Sequence, residues 1–163
     1  MRRFFYTLVL AATLPMFAHA QAQISFGGLK HDSSLPVEIT ADALSVDQAD
    51  GSATFTGNVL IGQGEMRLAA GKVRVEYASG PDATGEISRL HATNGVTLVN
   101  GAEAAEAREA VYTIKSGTVI MSGGVILTQG QNALSSDTLT VNLTTGTGQM
   151  DGRVKTIIQT GRN

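Results

Sequence analysis

The chain has 163 residues, a formal net charge of −2, 16% charged residues, 19 Gly, and neither Cys nor Trp. This length suits one ordinary domain. The composition excludes disulfides, thiolate metal sites, Cys nucleophiles and a strongly basic nucleic-acid binder.

In chain order, the first expected element is a secretory signal peptide over residues 1–20. Arg2 and Arg3 precede a 14-residue apolar run from Phe4 to Phe17, and Ala18-His19-Ala20 supplies small residues at a cleavage site. The run is short for a membrane span of about 20 residues. Without these residues Lys plus Arg falls from 12 to 10 while Asp plus Glu stays at 14, giving −4. Residues 21–34 are polar and Gly-rich without a sustained period, and are expected to be a flexible N-terminus. Residues 35–163 form the domain. Runs of four to eight alternating residues rich in Val, Ile and Thr are punctuated by turn signals such as Asp50-Gly51, Asn94-Gly95, Asn100-Gly101 and Asp151-Gly152. That pattern predicts an all-β sandwich, barrel or solenoid.

An internal repeat organises the strands. Gly precedes Val by one or two places at Val59, Val96, Val125 and Val154, in steps of 37, 29 and 29. A second strand type interleaves, with apolar anchors at Leu44, Val73, Val111 and Leu139, in steps of 29, 38 and 28. The unit is a two-strand ribbon of about 29 residues, one copy carrying an insertion near Ser79–Gly85. A ribbon cannot bury its apolar side alone, so stacking must do it. Val37 and Ile39 share one phase, Leu44 and Val46 the other, which demands a bulge or bend at Ala41–Ala43. The same slip recurs between Leu68/Ala70 and Val73, as if strands bend from one sheet into another. The segment 102–110 has helical propensity from its Ala and Glu, yet its place in the repeat predicts a strand.

Catalytic and metal chemistry finds little support. His31 and His91 are the two histidines beyond the leader, too few for a convincing metal site. Asp47 with Asp50-Gly51 reads as a turn rather than a calcium loop, and Gly62-x-Gly64 as a hairpin connection rather than a phosphate loop. Glu65, Glu76, Glu86 and Glu109 fall mostly on outward positions without an aromatic sugar platform, which disfavours a glycosidase pair. No cofactor and no enzymatic activity are expected. The inward set is aliphatic, and two readings stay open: a narrow filled core, or an incompletely closed interior able to take acyl chains.

The ordered run Pro36-Val37-Glu38-Ile39-Thr40-Ala41-Asp42, Ala53-Thr54-Phe55-Thr56-Gly57-Asn58-Val59, Ala92-Thr93-Asn94-Gly95-Val96 and Met121–Gly130 resembles the LptA family of periplasmic lipopolysaccharide-transport proteins with the OstA-like repeat. The resemblance spans roughly residues 35–160. It implies a twisted antiparallel β-jellyroll, open along one side, with lipid A acyl chains in an apolar groove and sugars outside. It also implies a periplasmic bridge between an inner-membrane-anchored LptC-like protein and the N-terminal domain of an outer-membrane LptD-like barrel, with head-to-tail self-association. Groove residues would be Val37, Ile39, Phe55, Val59, Ile61, Leu68, Val73, Val75, Tyr77, Val96, Leu98, Val111, Val125, Leu127, Leu139, Val141 and Leu143. Partner edges would be Val37, Glu38, Ile39 and Thr40 at one end and Val154, Lys155, Thr156, Ile157 and Ile158, as far as Gln159, at the other. Lys72, Arg74 and Arg67 are candidates to meet lipid phosphates, although solvated strand charges are the ordinary expectation. Two other functions stay open: an exported β-repeat scaffold with a filled core, and a carbohydrate-active β-helix enzyme.

Overall fold

A computed structural model describes residues 23–25, 32–81 and 85–158. The expected leader, Phe26, His31 and Gln159 lie outside the described residues. Twelve strands follow in order: β1 (Gln23–Ser25), β2 (Glu38–Thr40), β3 (Ala43–Val46), β4 (Ala53–Gln63), β5 (Met66–Tyr77), β6 (Ile87–Asn100), β7 (Glu103–Ala107), β8 (Glu109–Thr113), β9 (Thr118–Gln129), β10 (Asn132–Asn142), β11 (Thr147–Asp151) and β12 (Lys155–Ile157). All pairings are antiparallel and form one sheet, ordered β1-β11-β10-β9-β7-β6-β5-β4-β2. Most of the segment 102–110 is extended, as its place in the repeat predicts, forming β7 and the start of β8. Within 21–34, residues 23–25 pair with β11 as a short strand.

This sheet is creased along its middle. The β4–β5 register shifts between Thr56 and Val59, β5–β6 between Ala70 and Lys72, and β9–β10 between Ser136 and Thr138. β7 and β8 break at Arg108 and both lie between β6 and β9. On one side of the crease, half-sheet A runs from β2 through the C-terminal half of β4 and β7 to β12. On the other side, half-sheet B runs from β3 through the N-terminal half of β4 and β8 to β11 and β1. The phase slip at Ala41–Ala43 is the crossing from β2 in A to β3 in B, and that after Ala70 is β5 making the same crossing.

The repeated Gly lies on this crease. Consecutive residues take left-handed backbone at Gly57/Asn58, Asn94/Gly95, Gly123/Gly124 and Gly152/Arg153. Such φ values suit Gly and Asn, which avoid or tolerate the Cβ clash. At Gly57 (φ +82) a Cβ would lie 2.5 Å from Asp42 Oδ2, leaving no room for a side chain. The backbone stitches the corner as well: Asp42 N–H donates to the Gly57 carbonyl at 2.9 Å, and Asp137 N–H to the Gly152 carbonyl at 2.9 Å.

The facing sides of the two half-sheets meet in a single apolar cluster. On A, Ile39, Ile61, Leu68, Leu98, Ala105, Leu127 and Leu134 form one register row. On B, Val73, Ala92, Ala110, Met121 and Leu139 form another. Burial of these rows is the main driving force for a sheet whose outer surface is largely polar.

Candidate functional site: the interior and its two ends

Most of the expected groove residues line the interior, and they fill it. Val59, Ile61, Leu68, Val73, Val75, Val96, Leu98, Val125, Leu127, Leu139, Val141 and Leu143 are buried at 2% exposure or less. Val37, Ile39 and Phe55 are half-buried and pack against them. Met66, Leu90, Tyr112 and Met121, not among the groove candidates, complete the packing at 1% exposure or less. In this structure these side chains form one buried apolar cluster between the half-sheets.

Two positions need correction. Val111 does not face the interior: it shares a register row with His91 and Ile120, while its neighbours Ala110 and Tyr112 are buried. Ala110 is the inward partner in the row of Val73 and Leu139; its small side chain hid the true anchor one residue away. Tyr77 follows a register shift at the end of β5 and is 41% exposed.

Opposite the crease lies a seam where the lips of A and B meet. No backbone hydrogen bond joins the lips among the described residues. A side-chain bridge does so near β2. Tyr112 Oη, on half-sheet B, donates to Gln63 Oε1, on half-sheet A, at 2.8 Å. Gln63 Nε2 donates in turn to the carbonyls of Ser33 and Leu35 at 2.9 and 2.8 Å. Every hydrogen-bonding atom of this buried amide is used, and the segment leading into β2 is strapped across the seam. Burial pushes the Tyr112 hydroxyl up to about 12. A cleft of about 420 Å³ opens beside the strap between Leu35, Val37, Ile87 and Ile114.

Sequence reasoning passed over Gln63, yet a signal existed. Gln63, Asn100 and Gln129 each stand four residues after a repeat Val, in steps of 37 and 29, and each precedes a turn Gly. All three lie on the inward phase at the seam end of half-sheet A, the phase of Ile61, Leu98 and Leu127.

Both ends of the sandwich expose apolar groups. At the N-terminal end, Leu44 and Val46 pair with Phe55 and Ala53 and carry the B rows outward, at 57% and 62% exposure. At the C-terminal end, Thr156 extends the row of Leu134, and the apolar Val154, Ile157 and Ile158 in and beside β12 are 44%, 52% and 65% exposed. β2 and β3 have only β4 as a strand partner, and β12 only β10, among the described residues. The expected partner edges are thus terminal strands of the sheet.

Apart from Glu103, whose Oε2 is buried, the charged groups described here sit on the outer surface. Arg74 is tied to Asp50, and Arg67 curls onto the carbonyls of Gly64 and Met66. Lys72 is exposed in the outward phase. The Asp50 carboxyl is held below the usual carboxylate range by hydrogen bonds from Ser52 and by Arg74, and Asp137 by Arg153. Asp47 and Asp50 accept from the amides of Ala49 and Ser52, the geometry of a capped turn. Glu76 pairs with Arg89 at 3.6 Å, and Glu109 accepts from Ser122 Oγ at 2.9 Å. Nothing in these surface pairs assembles an acid–base dyad. No helix among the described residues is long and apolar enough to cross a membrane.

Comparison with known proteins agrees with this architecture. Residues 38–147 match the family model described as LptA/(LptD N-terminal domain) LPS transport protein. An uncharacterized protein of Rhizobium meliloti (strain 1021) is 30% identical over 157 residues, 91% of this chain and 82% of that protein. The lipopolysaccharide export system protein LptA of Escherichia coli (strain K12) is 28% identical over 135 residues, 81% of this chain and 68% of that protein. The crystal structure of LptH, the LptA-homologous periplasmic component of the lipopolysaccharide transport device of Pseudomonas aeruginosa, superposes with a TM-score of 0.68 at 14% identity. It covers 78% of this chain and 98% of that one, which shows a shared fold. The chain belongs to the family of LptA and LptD N-terminal-domain lipopolysaccharide-transport proteins.

Proposed function

We propose that this chain holds lipopolysaccharide in the periplasm and passes it from the inner to the outer membrane as one segment of a strand-to-strand bridge. Lipid A acyl chains lie between the half-sheets, and the sugars stay outside. β2 and β3 receive one neighbour and β12 another: an inner-membrane-anchored LptC-like protein, the N-terminal domain of an LptD-like barrel, or a further copy. The observation that carries this reading is the exposed apolar groups at both ends of the sheet, Leu44 and Val46 on one and Val154, Ile157 and Ile158 on the other. Docked edge to edge, two such ends join their interiors into one apolar tunnel.

Loading has to part the packed lips. The seam is suited to this, because among the described residues the lips are joined only through side chains, whereas the crease is stitched by backbone hydrogen bonds. Each CH₂ moved from water is worth about 0.8 kcal/mol, so a chain of about twelve carbons offers at most roughly 10 kcal/mol towards opening. Of the three basic candidates, Arg67 and Arg74 are already engaged on the outer surface and Lys72 is exposed, so apolar burial is the main term in loading. A diazirine cross-linker at Val75 or Val141 should label lipopolysaccharide, and one at Arg74 or Glu76 should not. Equal labelling of the two faces would overturn the reading.

The packed core also favours a second reading, an exported scaffold without a lipid ligand. Mass spectrometry of extracts from gently purified protein separates the two, since a scaffold carries no co-purifying glycolipid.

A further inference from the structure

Of the four edges at the two ends of the sheet, one is already covered. On half-sheet A, β2 and β12 each have a single strand partner among the described residues. On half-sheet B, β3 is likewise open, but β11 is paired on its outer side by β1 of the same chain. Two interior register rows cross B from end to end. One starts at Leu44 and passes Val73 and Leu139 to Met150. The other starts at Val46 and passes Val75 and Val141 to Gly148, where Ile24 of β1 closes it. Eight antiparallel steps lead from β3 through β4, β5, β6, β8, β9, β10 and β11 to β1, so β3 and β1 run in the same direction. Ile24 therefore holds the row and the direction that Val46 of a second copy would take if its β3 extended this sheet. In sequence, Ile24-Ser25-Phe26 and Leu44-Ser45-Val46 carry the same alternation of apolar residues about Ser.

We infer that β1 is an internal stand-in for the β3 strand of a second copy, a cap on the β11 edge that the incoming copy displaces. The inference rests on the proposed bridge and adds a control on its growth. An open edge accepts strands from any chain, whereas a tethered strand holds the edge at high effective concentration until a better-matched one arrives. The cap is incomplete. β1 pairs with Thr147, Gly148 and Gln149 of the five-residue β11, and Met150 and Asp151 have no strand partner on that side among the described residues. Displacement starts there. In continuing the two rows, the incoming β3 seats Leu44 opposite the unpaired Met150 and then Val46 opposite Gly148, the position that Ile24 has to leave. On half-sheet A the same copy needs no displacement. Seven antiparallel steps separate β2 from β12, so β2 of the incoming copy meets the open β12 edge antiparallel as well.

The test uses the full chain, expressed with its own leader, and follows mass against concentration by light scattering. Ser25→Cys with Thr147→Cys puts two thiols at directly opposed positions in a chain without other Cys, so oxidation fixes β1 on β11. Ile24→Pro with Ser25→Pro removes both backbone donors and releases the cap, since one of two adjacent N–H groups in a strand faces its partner. The oxidised chain should stay monomeric where the wild type grows, and should recover growth on reduction, which also shows that its fold is intact. The double-Pro chain should grow at a concentration roughly tenfold lower than the wild type. Equal growth of the oxidised and reduced chains, or no gain in the double-Pro chain, overturns the cap and leaves the bridge standing. Thiols that do not join on oxidation overturn the β1–β11 pairing. A disulfide between copies, in place of one within a copy, overturns the internal cap in favour of strands exchanged between neighbours. If the wild type, the reduced chain and the double-Pro chain all stay monomeric at every concentration, the joining of copies itself fails, and the cap with it.

Discussion

At the residue scale, the interior depends on how each polar group that enters it is paired. Tyr112 is the largest of the fully buried side chains, and its hydroxyl reaches across the seam to Gln63. Its pKa, pushed up to about 12, has a defined consequence for stability. An unfolded tyrosine ionises near pH 10, so the unfolded state loses its proton first. Stability is therefore complete below pH 10 and falls as pH climbs from 10 towards 12, by about 2–3 kcal/mol from this residue. Tyr112→Phe should lose about 1–3 kcal/mol at neutral pH, because Gln63 Oε1 is left buried and unpaired. It should also flatten the alkaline decline. Urea midpoints from neutral pH to about pH 11 check both effects, and an equally steep decline in the variant would place its cause elsewhere.

At the scale of the element, the crease converts a sequence repeat into a shape. Gly57 and Gly124 make a controlled pair. Their φ values are +82 and +83, so Ala at either carries the same backbone penalty of about 1–2 kcal/mol. A Cβ at Gly124 meets nothing within 4 Å, whereas one at Gly57 meets Asp42, whose carboxylate is already held by Asn58 Nδ2 at 2.8 Å. Gly57→Ala should therefore cost a further 1–3 kcal/mol, roughly, beyond Gly124→Ala in denaturant unfolding. Equal losses would mean that the corner relaxes freely.

The same elements show what could be read in advance. The phase slips after Ala41 and Ala70 are visible as broken alternation, and the sheet crosses its crease at both. The repeat marks β7 as a strand against its Ala/Glu propensity, since a ladder on both sides outweighs a few tenths of a kcal/mol per residue. Two features were not legible. Val111 looked like an anchor because it is β-branched, but the row of Val73 and Leu139 runs through Ala110. Nor can alternation distinguish a filled interior from a hollow one, since Leu127 or Val141 has the same phase in either case. Met66 and Met121, flexible side chains suited to irregular gaps, help close what aromatic scarcity left open.

At the scale of the whole molecule, the two ends are different surfaces, so in the proposed bridge the joining of one end to the other is heterologous and head-to-tail. A lysine at one end should abolish that contact without touching the core. Val46→Lys disables the β3 end and Ile158→Lys the β12 end, both at exposed positions. In light scattering the wild type should form chains of increasing mass with concentration, and each variant alone should be monomeric. Mixing the two gives an asymmetric result. The intact β12 end of the Val46→Lys chain meets the intact β3 end of the Ile158→Lys chain, and growth stops at one pair because both outer ends are blocked. A two-fold symmetric dimer uses the same end on both copies, so the variant blocked at the other end would already pair alone and mixing would create no new pair. Pairs in the mixture, absent from either variant alone, therefore distinguish an open-ended bridge from a closed dimer.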